Sequence, residues 1–265
     1  MRVLWVYAHP EPRSLNAALR HEGLRTLTGL GHEIRQSDLY AMRFDPVVDR
    51  DDFGAGDGRL IVGDESRRAY EGGRLSDDIV AEQEKLLWSD TVVLQFPLWW
   101  FGMPAILKGW FDRVFVKGFG YGVTHPDGRT KRYGDGVLSG RRALVVVTAG
   151  SPATALGPRG INGDLEELLF PLLHGTLWYA GMAPLAPLLV PGADRPTNYH
   201  QTAAKLRDRL IRLPDEEPLP YRHQDSDDYD ENLVLCDDLA TGESGLSVHC
   251  GDRRSAVRDF SPNRG

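Results

Sequence analysis

Three stretches of the chain hold residues suited to gripping a flat, charged ligand. The first is HPEPRSLN, residues 9–16. Where it opens a helix, Ser14 and Asn16 fall among backbone N–H groups that lack partners and, with the helix dipole, attract phosphate. The same Ser14 serves equally well as an ordinary N-cap. Neither the G-x-G-x-x-G nor the Walker A pattern occurs there. The second stretch, PLWWF at residues 97–101, sets backbone amides between wide apolar rings. Aromatics also crowd such connections simply because they bury large areas over a core. The third, TAGSPATALGPRGIN at residues 148–162, opens on small side chains that let a planar group come close. Together the three describe a slot for a planar, phosphorylated cofactor. A flavin matches that slot better than a nicotinamide nucleotide alone.

Such loops act together only if the elements before them lie side by side. RVLWVYA at the start, TVVLQF before the aromatic loop and ALVVVTAG before the third loop are short apolar runs, as expected of strands buried on both faces. HEIRQSDLY and APLLVP complete a set of five strands. Between them LNAALRHEGLRTLTGLG, SDDIVAEQEKLLWSD, a run opening near Pro104, LEELLFPLLHGTLWYAG and NYHQTAAKLRDRLIRL have helical spacing. Ser76 is placed to cap the second of these, with acids in its first turn where the dipole favours them. Pro171 must kink or break the fourth. Strands alternating with helices predict an α/β protein: a flavodoxin-like, doubly wound, five-stranded parallel sheet in the order 2-1-3-4-5. Ligands of such sheets bind beyond the carboxyl ends of the strands, which is where the three loops meet.

The flavin-binding domain is expected at residues 1–213, with an irregular excursion at 43–75 rich in Asp, Gly and Pro. Residues 214–265 form an irregular C-terminal extension, acidic and weakly periodic, read as an arm that is partly disordered or lies across a second subunit. Excursion and arm read as too polar to pack on their own core. A net charge of −7 argues against nucleic acid and anionic membranes as partners. No apolar run is long enough to insert in a membrane, and the first residues do not read as a signal peptide, so a cytoplasmic protein is expected. Cys236 and Cys250 are expected to be free thiols.

YAHPEPRSLNAAL, SDLYAMRFDP, LSDDIVAEQ, QFPLWWFGMPAILKGWFDRVF and GINGD, in this order, closely resemble the FAD-dependent NAD(P)H:quinone oxidoreductases of the diaphorase type. The resemblance runs over residues 2–220. It implies a homodimeric enzyme that passes hydride from NAD(P)H through FAD, with FMN the alternative, to a quinone-like acceptor in ping-pong fashion. It further implies that His9, Ser14, Asn16 and Ala18 hold the diphosphate and ribityl chain, with Leu15 where relatives often carry Phe. Pro97, Leu98, Trp99, Trp100 and Phe101 would line the flavin ring, and Thr148, Ala149, Gly150 and Ser151 would complete its site. Asp112 stands where an acid approaches the cofactor, and Tyr121 where a tyrosine faces the substrate at the subunit interface.

Two positions depart from that pattern. The family's active-site Tyr and His are replaced by Leu156 and Asn162. Asn donates a hydrogen bond but supplies no proton near neutral pH, and Leu does neither. Slower reduction by NAD(P)H and a preference for flat aromatic acceptors are expected. One branch binds a metal through two His and a Cys. Here His174 meets Trp178 and Tyr221 instead, and Cys236, His249 and Cys250 lack ligand spacing, so no metal is expected. Competing readings are a reductase of azo or nitro compounds or of one pathway quinone, and a flavin-binding regulatory subunit of a potassium-efflux system. A flavodoxin-type electron carrier is disfavoured by the deep aromatic slot.

Overall fold

The computed structural model describes residues 1–195 and 199–251. Its apolar runs form a parallel sheet of β1 (Arg2–Tyr7), β2 (Glu33–Asp38), β3 (Thr91–Pro97), β4 (Arg142–Ala149), β5 (Ala183–Pro184) and β6 (Leu188–Pro191). The order is β2-β1-β3-β4-β5, with β6 also paired to β4. Every residue of β3 is buried, as a central strand covered on both faces requires. The edge strand β2, EIRQSD, keeps most of its side chains in partial or full contact with water.

Alternation along β1 divides the core. Val3 and Trp5 join one apolar cluster with Leu144, Val146, Leu206 and Leu210, under α1 (Leu15–Gly29) and α7 (Tyr199–Arg212). Leu4 and Val6 join the other with Val92, Leu94, Leu86 and Trp110, under α3 (Asp77–Trp88) and α4 (Ala105–Val114). This is the two-residue period of a strand serving two buried faces. Ser14 caps α1 by accepting from the Ala17 N–H at 3.1 Å. Ser76 occupies the cap position of α3, but its hydroxyl donates to Asp78 at 2.7 Å instead of capping a backbone group.

Three expectations need correcting. The fifth strand is two segments, β5 meeting β4 at Arg142–Ala143 and β6 meeting it at Val146–Ala149. Pro184 and Pro187 lack the N–H a continuous ladder needs, so the chain leaves β4 and returns. The excursion is not irregular throughout, since Val62–Glu71 forms a helix, α2. Nor is it too polar to pack: Phe44, Phe53, Ala69 and Leu75 enter the core. Arg113 of α4 donates to Asp52 at 2.5 Å and to Asp78 at 2.6 Å, with Arg113 and Asp52 almost fully buried. Gly109 of α4 seats the excursion closely, because a Cβ there would lie 2.2 Å from the Pro46 carbonyl.

Pro171 does break its helix, into α5 (Leu165–Leu168), α6 (Phe170–Leu172) and a π-helical turn at Leu173–Trp178. The Thr176 hydroxyl donates to the Pro171 carbonyl at 3.0 Å. The arm turns back over this segment. The Leu219 N–H donates to Pro184, Tyr221 bridges to Cys250, and Leu219 and Tyr221 are buried. Residues 252–265 of the arm, and Asn198 of the last expected helix, lie outside the described residues. Cys236 and Cys250 are not joined in a disulfide. No helix among the described residues is long and apolar enough to cross a membrane.

Candidate active site

The carboxyl ends of β1, β3 and β4 are adjacent in the sheet, and their loops are tied into one cleft. Asn16, at the start of α1, donates through Nδ2 to the Thr148 hydroxyl at 2.8 Å. The Leu98 N–H donates to the Thr148 carbonyl at 2.7 Å. The His9 and Trp99 rings approach to 6.3 Å. Ala18 donates its N–H to the Ser14 carbonyl, and Leu15 beside it is half-buried. Gln95, a polar residue inside an apolar strand, locks this corner: it accepts from Trp5 Nε1 at 3.0 Å and donates to the Asn16 carbonyl at 2.8 Å. Sequence reasoning missed Gln95, although a glutamine at a strand position that must be buried was a readable signal.

The loop after β3 is a tight turn. Trp99 and Gly102 exchange backbone hydrogen bonds at 3.0 and 3.1 Å. The two residues between them, Trp100 and Phe101, have φ of 50° and 61°. Bulky L-residues avoid this left-handed region, so the turn stores backbone strain. Trp100 is 96% exposed, Phe101 49% and Trp99 44%, which puts a patch of aromatic surface at the mouth of the cleft. Burial over a core therefore does not explain these rings.

The loop after β4 begins with Thr148 and Ala149 buried and Gly150 exposed. A Cβ on Gly150 would come within 3.1 Å of the Asp194 carboxyl carbon, a neighbour that sequence reasoning missed. Asn162 donates to the Ser151 hydroxyl at 3.0 Å, and Ile161 next to it is 97% exposed. Leu156 closes a 3-10 turn (Ala153–Leu156) and shows only 3% of its surface, so in this chain its side chain packs inward. Asp112 and Tyr121 are not brought to the three loops. They line a different cavity of about 490 Å³ with Met103, Phe111, Phe115 and Tyr179, and Asp112 pairs with Lys108 at 2.5 Å.

Burial holds His9 below the usual histidine range. Its Nδ1 accepts from the Glu11 N–H at 3.1 Å, so the proton of the neutral ring sits on Nε2. His174, for which no metal role is expected, has its ring stacked between Phe170 at 4.5 Å and Tyr133 at 4.9 Å. Sequence spacing gave no hint that His125, Asp135 and Asp225 would bring donor atoms within 4.8 Å of one another. Asp225 there is already paired with Arg129 at 2.8 Å.

One atom indicates that the cleft is shaped for a ligand. Asn16 is 4% exposed, and its Oδ1 is buried without a hydrogen-bond partner among the described residues. Such an acceptor costs about 1–3 kcal/mol until something donates to it. A polar chain entering the cleft along the start of α1 satisfies that need, so the residues present fit a flavin with a hydroxylated, phosphorylated tail.

An open doubly wound sheet with its cleft at the carboxyl ends of β1, β3 and β4 defines a flavodoxin-like protein. The chain belongs to the family described as having the flavodoxin-like fold, whose model matches residues 1–212. It is 42% identical over 255 residues to the ribosyldihydronicotinamide dehydrogenase-like protein traD of Penicillium crustosum, covering 94% of this chain and 95% of that one. With NAD(P)H dehydrogenase [quinone] 1 of Rattus norvegicus identity is 39% over 231 residues, covering 82% and 79%. A solved structure from Klebsiella pneumoniae, provisionally described as a quinone reductase, superposes with a TM-score of 0.91 at 48% identity. That match covers 95% of this chain and 100% of the other.

Proposed function

We propose that this protein is a flavin-dependent reductase that moves two electrons, as hydride, from a reduced nicotinamide to a quinone-like acceptor. The observation that carries the reading is the cleft itself. Its three loops are locked together around an unpaired Asn16 acceptor, in a chain similar over most of its length to enzymes named for quinone reduction.

FAD is the proposed cofactor in preference to FMN; when bound, it supplies the two-electron relay between donor and acceptor. His9, Ser14, Asn16 and Ala18 hold the phosphate and ribityl end, His9 through its Nε2 proton. Leu98, Trp99 and the strained Trp100–Phe101 turn form one wall, and Thr148, Ala149, Gly150 and Ser151 the floor. Held flat between them, a donor and then an acceptor are oriented by stacking while water is excluded. Asn162 offers a hydrogen-bond donor to substrate and no titratable proton. Leu156, packed inward, puts no hydroxyl into the slot, which favours flat apolar acceptors.

A cytoplasmic homodimer is part of the proposal. The exposed Trp100, Phe101 and Ile161 support it, since large apolar side chains left in water favour burial against a partner. Asp112 and Tyr121 would then reach the partner's cleft. Light scattering that shows a flavin-loaded monomer across micromolar concentrations refutes this assembly.

The test of function is stopped-flow reduction of the bound flavin by NADH, NADPH and reduced nicotinamide riboside. The riboside is included because of the fungal relative's name. Reduction by at least one donor, followed by reoxidation with a quinone, is expected. The Leu156→Tyr, Asn162→His double variant should be reduced faster by NAD(P)H. Loss of one hydrogen bond to developing charge is worth about 2.7–4 kcal/mol, a factor of roughly 10²–10³. Protein that binds no flavin, or flavin that no donor reduces, overturns the reading.

A further inference from the structure

A second cavity, of about 380 Å³, lies between the arm and the π-helical turn, away from the three loops. Its volume falls within the roughly 300–1,000 Å³ of small-molecule sites. Three separate chain segments build it: residues 132–133, residues 170–175 and the arm from Arg222 to His249. We propose that this cavity is a binding site for a small, planar, singly charged aromatic anion such as an arene carboxylate.

The rings come first. Phe170 and His174 stack at 4.5 Å with planes 18° apart, and His249 continues the column 5.8 Å from His174 at 30°. Tyr229 lies 6.0 Å from His249 with planes 17° apart. Near-parallel rings lining one cavity present faces and edges on which a flat aromatic stacks. Burial, with His249 nearby, holds His174 at about 4, so its ring is neutral near pH 7 and adds no charge to the cavity.

Charge gives the sign. The protein carries a net −7, yet among the described residues two arginines and no carboxylate line the cavity. Arg222 is neutralised from outside the lining by Asp228, at 2.7 Å. Arg132 donates its Nε to Gln224 and forms no ion pair among the described residues. One guanidinium therefore faces the cavity uncompensated, and its planar donor fork matches a carboxylate. Tyr229, whose hydroxyl burial pushes up to about 12, stays protonated and hydrogen-bonds His249 at 3.0 Å.

The experiment is calorimetric titration of the flavin-loaded, full-length protein with 2-naphthoate and with 2-naphthylmethanol, its uncharged counterpart. One naphthoate per chain is expected, with the alcohol at least about tenfold weaker, as fits loss of a charge-assisted hydrogen bond. Arg132→Gln should weaken naphthoate roughly 10–100-fold. Should that variant fold poorly, Leu246→Glu, at a position 48% exposed, places a carboxylate on the rim without disturbing the core. It should weaken naphthoate and leave the alcohol unchanged. Phe101→Ala, in the other cleft, should leave naphthoate binding unchanged. No saturable binding, equal affinity for acid and alcohol, indifference to both charge variants, or loss of binding in Phe101→Ala each overturns the proposal.

Discussion

Replacing Asn16 with leucine separates what the cleft does for the fold from what it does for a ligand. In the flavin-free chain Asn16 makes one side-chain hydrogen bond, Nδ2 to Thr148 at 2.8 Å, and leaves Oδ1 buried and unpaired. Leucine keeps the same branched heavy-atom skeleton, so no cavity opens. It forfeits a bond worth about 0.5–1.5 kcal/mol and removes an unsatisfied acceptor costing about 1–3 kcal/mol. The flavin-free variant should therefore be as stable as the parent or up to about 2 kcal/mol more stable in urea unfolding. Affinity for FAD should fall, because the hydrogen bond that relieves Oδ1 is lost. At about 1.4 kcal/mol per factor of ten, a loss of tenfold or more is expected by fluorescence titration. A variant destabilised by more than about 2 kcal/mol with unchanged FAD affinity would show that Oδ1 is satisfied within the fold, and the reasoning would fail.

Arg113→Met should cost about 3–5 kcal/mol in denaturant unfolding, since it strands Asp52, whose side chain is 3% exposed. Adding Asp52→Asn should recover most of that loss; a single variant costing under about 1 kcal/mol would mean the pair is dispensable. His174 titrates at about 4 in the folded chain against 6.5 when free, so its native form resists protonation. The associated stability is complete above pH 6.5 and is lost as the pH falls toward 4, roughly 3 kcal/mol in all. Thermal unfolding across that window should be flatter for His174→Phe, and parallel curves would contradict the assignment. Trp100→Asn, at an exposed left-handed position, should raise the stability of the flavin-free chain by about 1 kcal/mol by relieving backbone strain. Unchanged thermal unfolding would show that the turn is not strained.

The strand and helix order was legible because its signals are local. A run such as TVVLQF can satisfy its burial only in the middle of a sheet, and Ser14 announces the start of α1 through chemistry within three residues of it. The three cleft loops were legible for the same reason: strand order places their ends together whatever lies between. The split of the fifth strand was harder to read, because the prolines say only where a donor is missing. Which residues of β4 the chain leaves and rejoins is a matter of register across the sheet. Helix α2 was hidden in a stretch of Asp and Gly. Its Ala69 shares an apolar cluster with Phe44, Phe53 and Leu75, and the excursion around it is anchored at Asp52 by Arg113, 61 positions later in sequence.

Sequence alone thus determined which residue types stand at the ends of the strands, and hence the class of ligand they suit. Tertiary structure decided the states of those residues: an Asn16 oxygen without a partner, Trp100 and Phe101 turned outward on a left-handed turn, Leu156 packed inward, and Asp112 and Tyr121 assigned to another cavity. It alone assembled the Arg132–His174–His249 cavity, from segments up to about a hundred residues apart. Local pattern fixes backbone conformation because each hydrogen-bonded turn or strand is closed by near neighbours. Burial and the pairing of a polar atom depend on every segment that arrives around it, and those arrive only when the chain has folded.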